Sequence, residues 1–496
     1  MVSAPSAASS PADSLRRQVR RAVIWRSGSQ LVAQLVQWAA TFLVIRILDP
    51  HDYGLFAMTQ VVLVLLNMLN GYGLASGLIQ QKQVSDREIR QLFGMLILLN
   101  GGLALAQASL APLAASYYRQ PIVADMLRVQ ALLYLTTPFI ALPYALLSRT
   151  MEFRHQATAN IVASVASAAA ALGGALAGLG VWTLVLAPLV LFTVRAAMMT
   201  WAAGALVWPI FDPRGAGHLA RFGGVMAAGQ FFWFLQSQTD VFIAGRVFSP
   251  RLLGIYTTSL FLTQIFVSKF VPPLNEVAFS AYARLQEDPR ALAAGFTRAV
   301  RLVMTAALPF YFGLAVTAEP LVLTVLGPKW ADTVPLVRLL ALSMPFMTLQ
   351  VLLTPACDAR GQPGIGVRNG ATGALLLGAA FLVGVHWGPT GLACAWLAAY
   401  PLYLAASAAR ALPVIGASVR GLARAIAPAL IAAVAMAAVV TGVDRALPAL
   451  EMPLRLATLA LVGAAAYGGW LALFARSVVR ELAATVRREP VQADWM

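Results

Sequence analysis

Arg195 and Lys269 stand inside apolar runs long enough to cross a bilayer, and Arg26 stands nearer the end of another. A cation at the bilayer centre costs about 3 kcal/mol or more by insertion scales, so it should face protein, water or an anion. For Arg26 snorkelling to the interface is the ordinary account. Acids inside such runs are few, chiefly Asp240 and Glu276. They are candidates for ion pairs with these cations or for proton coupling. A cavity walled mostly by cations suits an anionic substrate, because a low-dielectric wall strengthens each attraction. That is the chemistry of holding an anion.

Amides follow the same runs. Arg26, Gln30, Gln34, Gln37 and Thr41 fall within roughly 80° of one helical circumference at 100° per residue. Gln230, Trp233, Gln236, Ser237 and Asp240 fall within about 120° by the same rotation. Asn67 and Asn70 add to the second run, and Gln264 to the eighth. Such groups either hydrogen-bond neighbouring helices as packing glue or line wet space. Four stripes in related positions point to a shared cavity.

The elements that must carry these residues are legible from composition. Of 496 residues, 59% are hydrophobic and 11% charged, far from a soluble domain. Runs of about 20 apolar residues number about fourteen. The net charge of +16 sorts by loop parity: even connections and both tails hold most of the Arg and Lys. The positive-inside rule then puts both termini in the cytoplasm, and that placement argues against nucleic acid as the partner. Cys357 and Cys394 cannot build a disulfide framework. The four histidines are scattered, so neither a metal nor another cofactor is expected.

A duplication organises the chain. Arg46-Ile-Leu-Asp-Pro50-His-Asp-Tyr-Gly54-Leu-Phe56 recurs 200 positions later as Arg246-Val-Phe-Ser-Pro250-Arg-Leu-Leu-Gly254-Ile-Tyr256. Six helices separate the copies, so both face one side, as in a parallel repeat. The expected fold is an all-α polytopic membrane protein with two parallel six-helix halves and a C-terminal helix pair around a central cavity. Its divisions are a tail at 1–21, halves at 22–210 and 211–412, a helix pair at 413–476 and a tail at 477–496. Pro50 and Pro250 should break the helix, with Gly54 and Gly254 making the turn or capping the next helix. Arg46 and Arg246 occupy the periplasmic mouth and are candidates for an outer gate.

Three segments resemble a known family: Ile45 to Gly54, Asp240-Val-Phe-Ile-Ala-Gly-Arg246 with Leu253-Gly-Ile-Tyr256, and Pro273-Leu-Asn-Glu-Val-Ala-Phe-Ser-Ala-Tyr282-Ala-Arg284. Together they are similar to the polysaccharide-transport branch of the multidrug/oligosaccharidyl-lipid/polysaccharide flippase superfamily. The resemblance implies a Wzx-like flippase of the bacterial inner membrane. Such proteins move an undecaprenyl-diphosphate-linked oligosaccharide from the cytoplasmic to the periplasmic leaflet for lipopolysaccharide, capsule or exopolysaccharide assembly. They work beside a polysaccharide polymerase and a chain-length regulator and are not enzymes. Other readings are a cation-coupled drug exporter of the same superfamily, or an integral-membrane glycan polymerase or ligase. The first helix lacks the carboxylate typical of the exporters, and no periplasmic loop is large enough for polymerase chemistry.

Overall fold

The computed structural model describes residues 32–70, 84–150, 153–212, 217–448 and 450–476, the single positions 28, 30, 78 and 480, and only the backbone of 217–230. Among the described residues every regular element is helical. Two compact units meet in sequence between Phe231 and Phe232.

The first unit begins with α1 (Val32–Ile47) and α2 (Pro50–Asn67). It continues with α3 (Asp86–Tyr118), α4 (Ile122–Gln130), α5 (Leu132–Thr136), α6 (Pro138–Arg149), α7 (Phe153–Leu176) and α8 (Trp182–Ala203). Helix α9 (Gly217–Val247) runs from the first unit into the second. The second unit adds α10 (Pro250–Lys269), α11 (Val271–Arg284), α12 (Pro289–Val316), α13 (Ala318–Val325), α14 (Val334–Ala359), α15 (Gly364–Gly384), α16 (Gly388–Ile415), α17 (Val419–Ala446) and α18 (Met452–Phe474). Nine stretches of the described residues are long and apolar enough to cross a membrane, and one of them holds both α15 and α16. With α1, α2, α9 and α10 they cover the fourteen predicted segments. The chain is an all-α, multi-pass membrane protein.

The duplicated motif is a helix start in both copies. α1 ends at Ile47 and α2 begins at Pro50; α9 ends at Val247 and α10 begins at Pro250. Each proline takes the first helical position, where its missing N–H costs nothing. The Asp52 carboxylate accepts from the Asp49 N–H at 3.3 Å, and the Ser249 hydroxyl accepts from the Leu252 N–H at 3.4 Å. Gly54 and Gly254 are not turn residues. Both lie buried in the first turns of their helices.

Three predicted helices are broken, the ninth at Thr317 between α12 and α13. The fourth segment is three pieces, α4, α5 and α6, with Pro138 opening the last. The eighth stops at Lys269, because Pro272 and Pro273 deprive the ladder of two donors and crowd the preceding turn. It restarts as α11.

Cross-helix hydrogen bonds hold the first unit's pocket walls. Ser167 on α7 donates to the Ala187 carbonyl on α8 at 2.9 Å, and Thr200 on α8 donates to the Phe139 carbonyl on α6 at 2.9 Å. The segment after α8 straps across the start of α3. There the Ile210 N–H donates to the Arg90 carbonyl at 3.0 Å and Arg90 Nε donates to the Trp208 carbonyl at 2.9 Å. Gly94 permits this, since a Cβ there would run into the Ile210 carbonyl.

Candidate functional site

In the first unit a pocket of about 380 Å³ opens between α1, α6, α7 and α8. That volume lies within the range of small-molecule sites, about 300–1,000 Å³. Position 30 and α1 bring Gln30, Gln34 and Gln37 to it, and α8 brings Arg195. Helix α7 supplies Gln156, Asn160 and Ser164, spaced four apart and therefore on one face. Tyr144 of α6 and Phe153 of α7 add aromatic walls.

The side chains differ in what they have free. Gln156 is 7% exposed, and its NH₂ donates to the Tyr144 carbonyl at 3.3 Å and to Ser148 Oγ at 3.0 Å. Its carbonyl oxygen is left for the pocket. The amides of Gln34, Gln37 and Asn160 are half-buried and make no hydrogen bond to another described residue. Arg195 is half-buried, with its guanidinium carbon 5.8 Å from the centroid of the Phe192 ring.

The second unit holds a different polar centre. Asp240 on α9 is 1% exposed. Its carboxylate accepts from Tyr256 Oη of α10 at 2.7 Å and from the Val241 N–H at 2.8 Å. Tyr256 Oη in turn accepts from Trp396 Nε1 of α16 at 2.8 Å. Trp396 stacks on Tyr400 at 5.1 Å with the rings 10° apart. Asp240 is thus held by hydrogen-bond donors and has no ion pair among the described residues.

The predicted residues divide accordingly. Gln30, Gln34, Gln37 and Arg195 come together in one pocket. Arg26 lies outside the described residues, as does the Gln230 side chain. Lys269 is not mid-helix: it is the last residue of α10, exposed, where a cation complements the helix dipole. Glu276 is exposed on α11, past the proline break. Gln236 acts as packing glue, donating to the Gly370 carbonyl at 3.1 Å. Gly373 gives it room, because a Cβ there would sit 2.6 Å from Gln236 Oε1. Asn70 donates to Asn67 Oδ1 at 3.1 Å, and its carbonyl accepts from Asn100 at 3.1 Å, closing the end of α2. Gln264 is half-buried on α10. Arg46 and Arg246 are exposed in the last turns of α1 and α9.

Sequence reasoning missed the α7 face and the partners of Asp240. Gln156, Asn160 and Ser164 carry a detectable signal in their spacing of four. The Trp396 bond to Tyr256 joins residues 140 apart and has none.

Residues 43–335 match the polysaccharide biosynthesis protein family, more than half of the chain. The chain belongs to this family. It is 24% identical over 303 residues to the lipopolysaccharide biosynthesis protein WzxC of Escherichia coli (strain K12), a match covering 60% of each chain. The matched segment thus spans less than two thirds of that relative's length. Identity to the succinoglycan biosynthesis transport protein ExoT of Rhizobium meliloti (strain 1021) is 25% over 346 residues, 70% of each chain. The teichuronic acid biosynthesis protein TuaB of Bacillus subtilis (strain 168) is 21% identical over 352 residues, covering 69% of this chain and 71% of the relative. Among solved structures, the lipid II flippase MurJ in an inward closed conformation superposes with a TM-score of 0.74 at 12% identity, covering 92% of this chain and all of that one. An inward-facing MATE family transporter of the MOP superfamily gives 0.59 at 12% identity, covering 79% and 98%. At these identities the likeness is one of fold. The resemblance read from the three segments is borne out.

Proposed function

We propose that this protein carries an undecaprenyl-diphosphate-linked oligosaccharide unit from the cytoplasmic to the periplasmic leaflet of a bacterial inner membrane, by alternating access of two six-helix halves. One observation carries the reading: a pocket lined by amides and a guanidinium lies among membrane helices of a polysaccharide biosynthesis protein. A polar pocket there is costly unless something polar occupies it. The relatives' names, for lipopolysaccharide, succinoglycan transport and teichuronic acid, favour a sugar-polymer precursor.

In this reading Arg195, with Arg26, meets the diphosphate or an acidic sugar. Asp240 with Tyr256 is the coupling group in the second unit. Arg46 and Arg246 gate the periplasmic mouths, both termini are cytoplasmic, and a polymerase takes up the delivered unit. The protein moves its substrate without changing it.

Gene disruption tests the reading in cells. Lipid-linked units should accumulate, unpolymerised, on the cytoplasmic face of isolated membranes. Normal polymer output without the gene would remove the proposal.

A further inference from the structure

We propose that the pocket of the first unit is a carbohydrate subsite, which takes a pyranose ring of the head group rather than its diphosphate. The inference rests on the transport reading above. It comes from the balance of donors and acceptors on the pocket wall.

A diphosphate presents oxygens that only accept, and proteins meet it with Arg, Lys or converging backbone N–H groups. This wall is different. Gln34, Gln37 and Asn160 each offer two N–H donors and a carbonyl acceptor, and none of these amides is engaged by another described residue. Gln156 turns its carbonyl oxygen to the pocket, because its NH₂ is held by Tyr144 and Ser148. Ser164 adds a hydroxyl, 5% exposed as a residue. The Gln156 carbonyl oxygen, fixed by the bonds of its NH₂, would repel a phosphate. Ring hydroxyls, each donor and acceptor at once, match this mixture.

The positions reinforce the reading. Gln34 and Gln37 share one face of α1, while Gln156, Asn160 and Ser164 share one face of α7, so two polar edges border the same volume. Tyr144 and Phe153 supply flat apolar surface for the C–H face of a ring. Arg195 is the pocket's one cation among the described residues, placed for a carboxylate substituent on that ring.

The test uses full-length protein in nanodiscs and two radiolabelled lipids, undecaprenyl diphosphate and the same lipid carrying one glucose. The unaltered protein should bind the glycosylated lipid about tenfold more tightly, the worth of one to two net hydrogen bonds. Gln37→Met and Asn160→Leu should each remove most of that gain while leaving affinity for the sugar-free lipid within about twofold. Their melting temperatures should be unchanged, because these amides hold no other part of the protein. Equal loss for both lipids in a variant that melts normally would make the pocket a phosphate site and overturn the inference. So would an unaltered protein that binds both lipids equally, with the transport reading left standing. Binding of neither lipid by the unaltered protein would overturn both.

Discussion

Tyr256 donates to the buried carboxylate of Asp240 at 2.7 Å, and the equivalent positions of the first repeat hold Phe56 and Ala40. Acid and donor are thus present together in one copy and absent together from the other. The amides differ by position: Gln30 and Gln230 coincide, whereas Gln34 and Gln37 of the first copy correspond to Phe234 and Ser237 of the second. Duplication supplied one helix pair twice, and each copy carries its own polar centre.

Tyr256→Phe leaves Asp240 with one donor fewer in a dry site, and should cost about 1–3 kcal/mol. Adding Asp240→Ala restores the apolar pairing of the first repeat and should recover part of that loss, because removing both partners costs less than removing one. A double-mutant cycle on denaturation midpoints checks this. In transport, Asp240→Ala should abolish coupling and flatten the dependence of rate on pH.

Arg195 and Lys269 should separate. Arg195→Ala removes the guanidinium from the pocket wall and should lower transport by at least about tenfold, the scale of one charge-assisted hydrogen bond. Lys269→Ala changes an exposed helix end and should alter transport by less than about twofold. Initial rates in vesicles distinguish them.

Gly94→Val should displace the strap formed by residues 208–212 and cost about 1–3 kcal/mol as an overpacked contact. The Arg87–Asp212 pair, 3.7 Å apart, should open with it. Faster proteolysis after α8, together with a lower melting temperature, is the expected result.

The last helix pair is fastened by Arg455, whose Nε and Nη2 donate to the two Asp444 oxygens at 2.7 and 2.9 Å. Tyr467 docks α18 on α12 by donating to the Thr305 carbonyl at 2.7 Å. Arg455→Lys loses the bidentate fork and should cost about 1 kcal/mol for a pair only partly shielded from solvent. Thermal denaturation of the purified protein measures it.

What was legible in the sequence was whatever local chemistry dictates. Hydropathy marks the fourteen segments, because a helix must span about 30 Å of hydrocarbon. Pro50 and Pro250 mark helix starts through their own backbone. The α1 stripe shows through its period, and so could the α7 stripe at Gln156, Asn160 and Ser164. Lys269 looked central only because the hydrophobic run continues past it; the Pro272-Pro273 break moves it to a helix end. Gln236 and Gln34 look alike in sequence, yet one meets the Gly370 carbonyl and the other meets open space. Which neighbour an amide finds is a property of packing across a hundred residues or more, and period alone does not hold it.

The central claim is transport of a lipid-linked sugar, and reconstitution tests it most directly. Purified protein is placed in proteoliposomes carrying a fluorescent undecaprenyl-diphosphate oligosaccharide, and dithionite then reports how much label reaches the outer leaflet. The account predicts protein-dependent movement that Arg195→Ala slows at least about tenfold and that loses its dependence on pH in Asp240→Ala. Leaflet exchange no faster than in empty liposomes, or undiminished in Arg195→Ala, would contradict it.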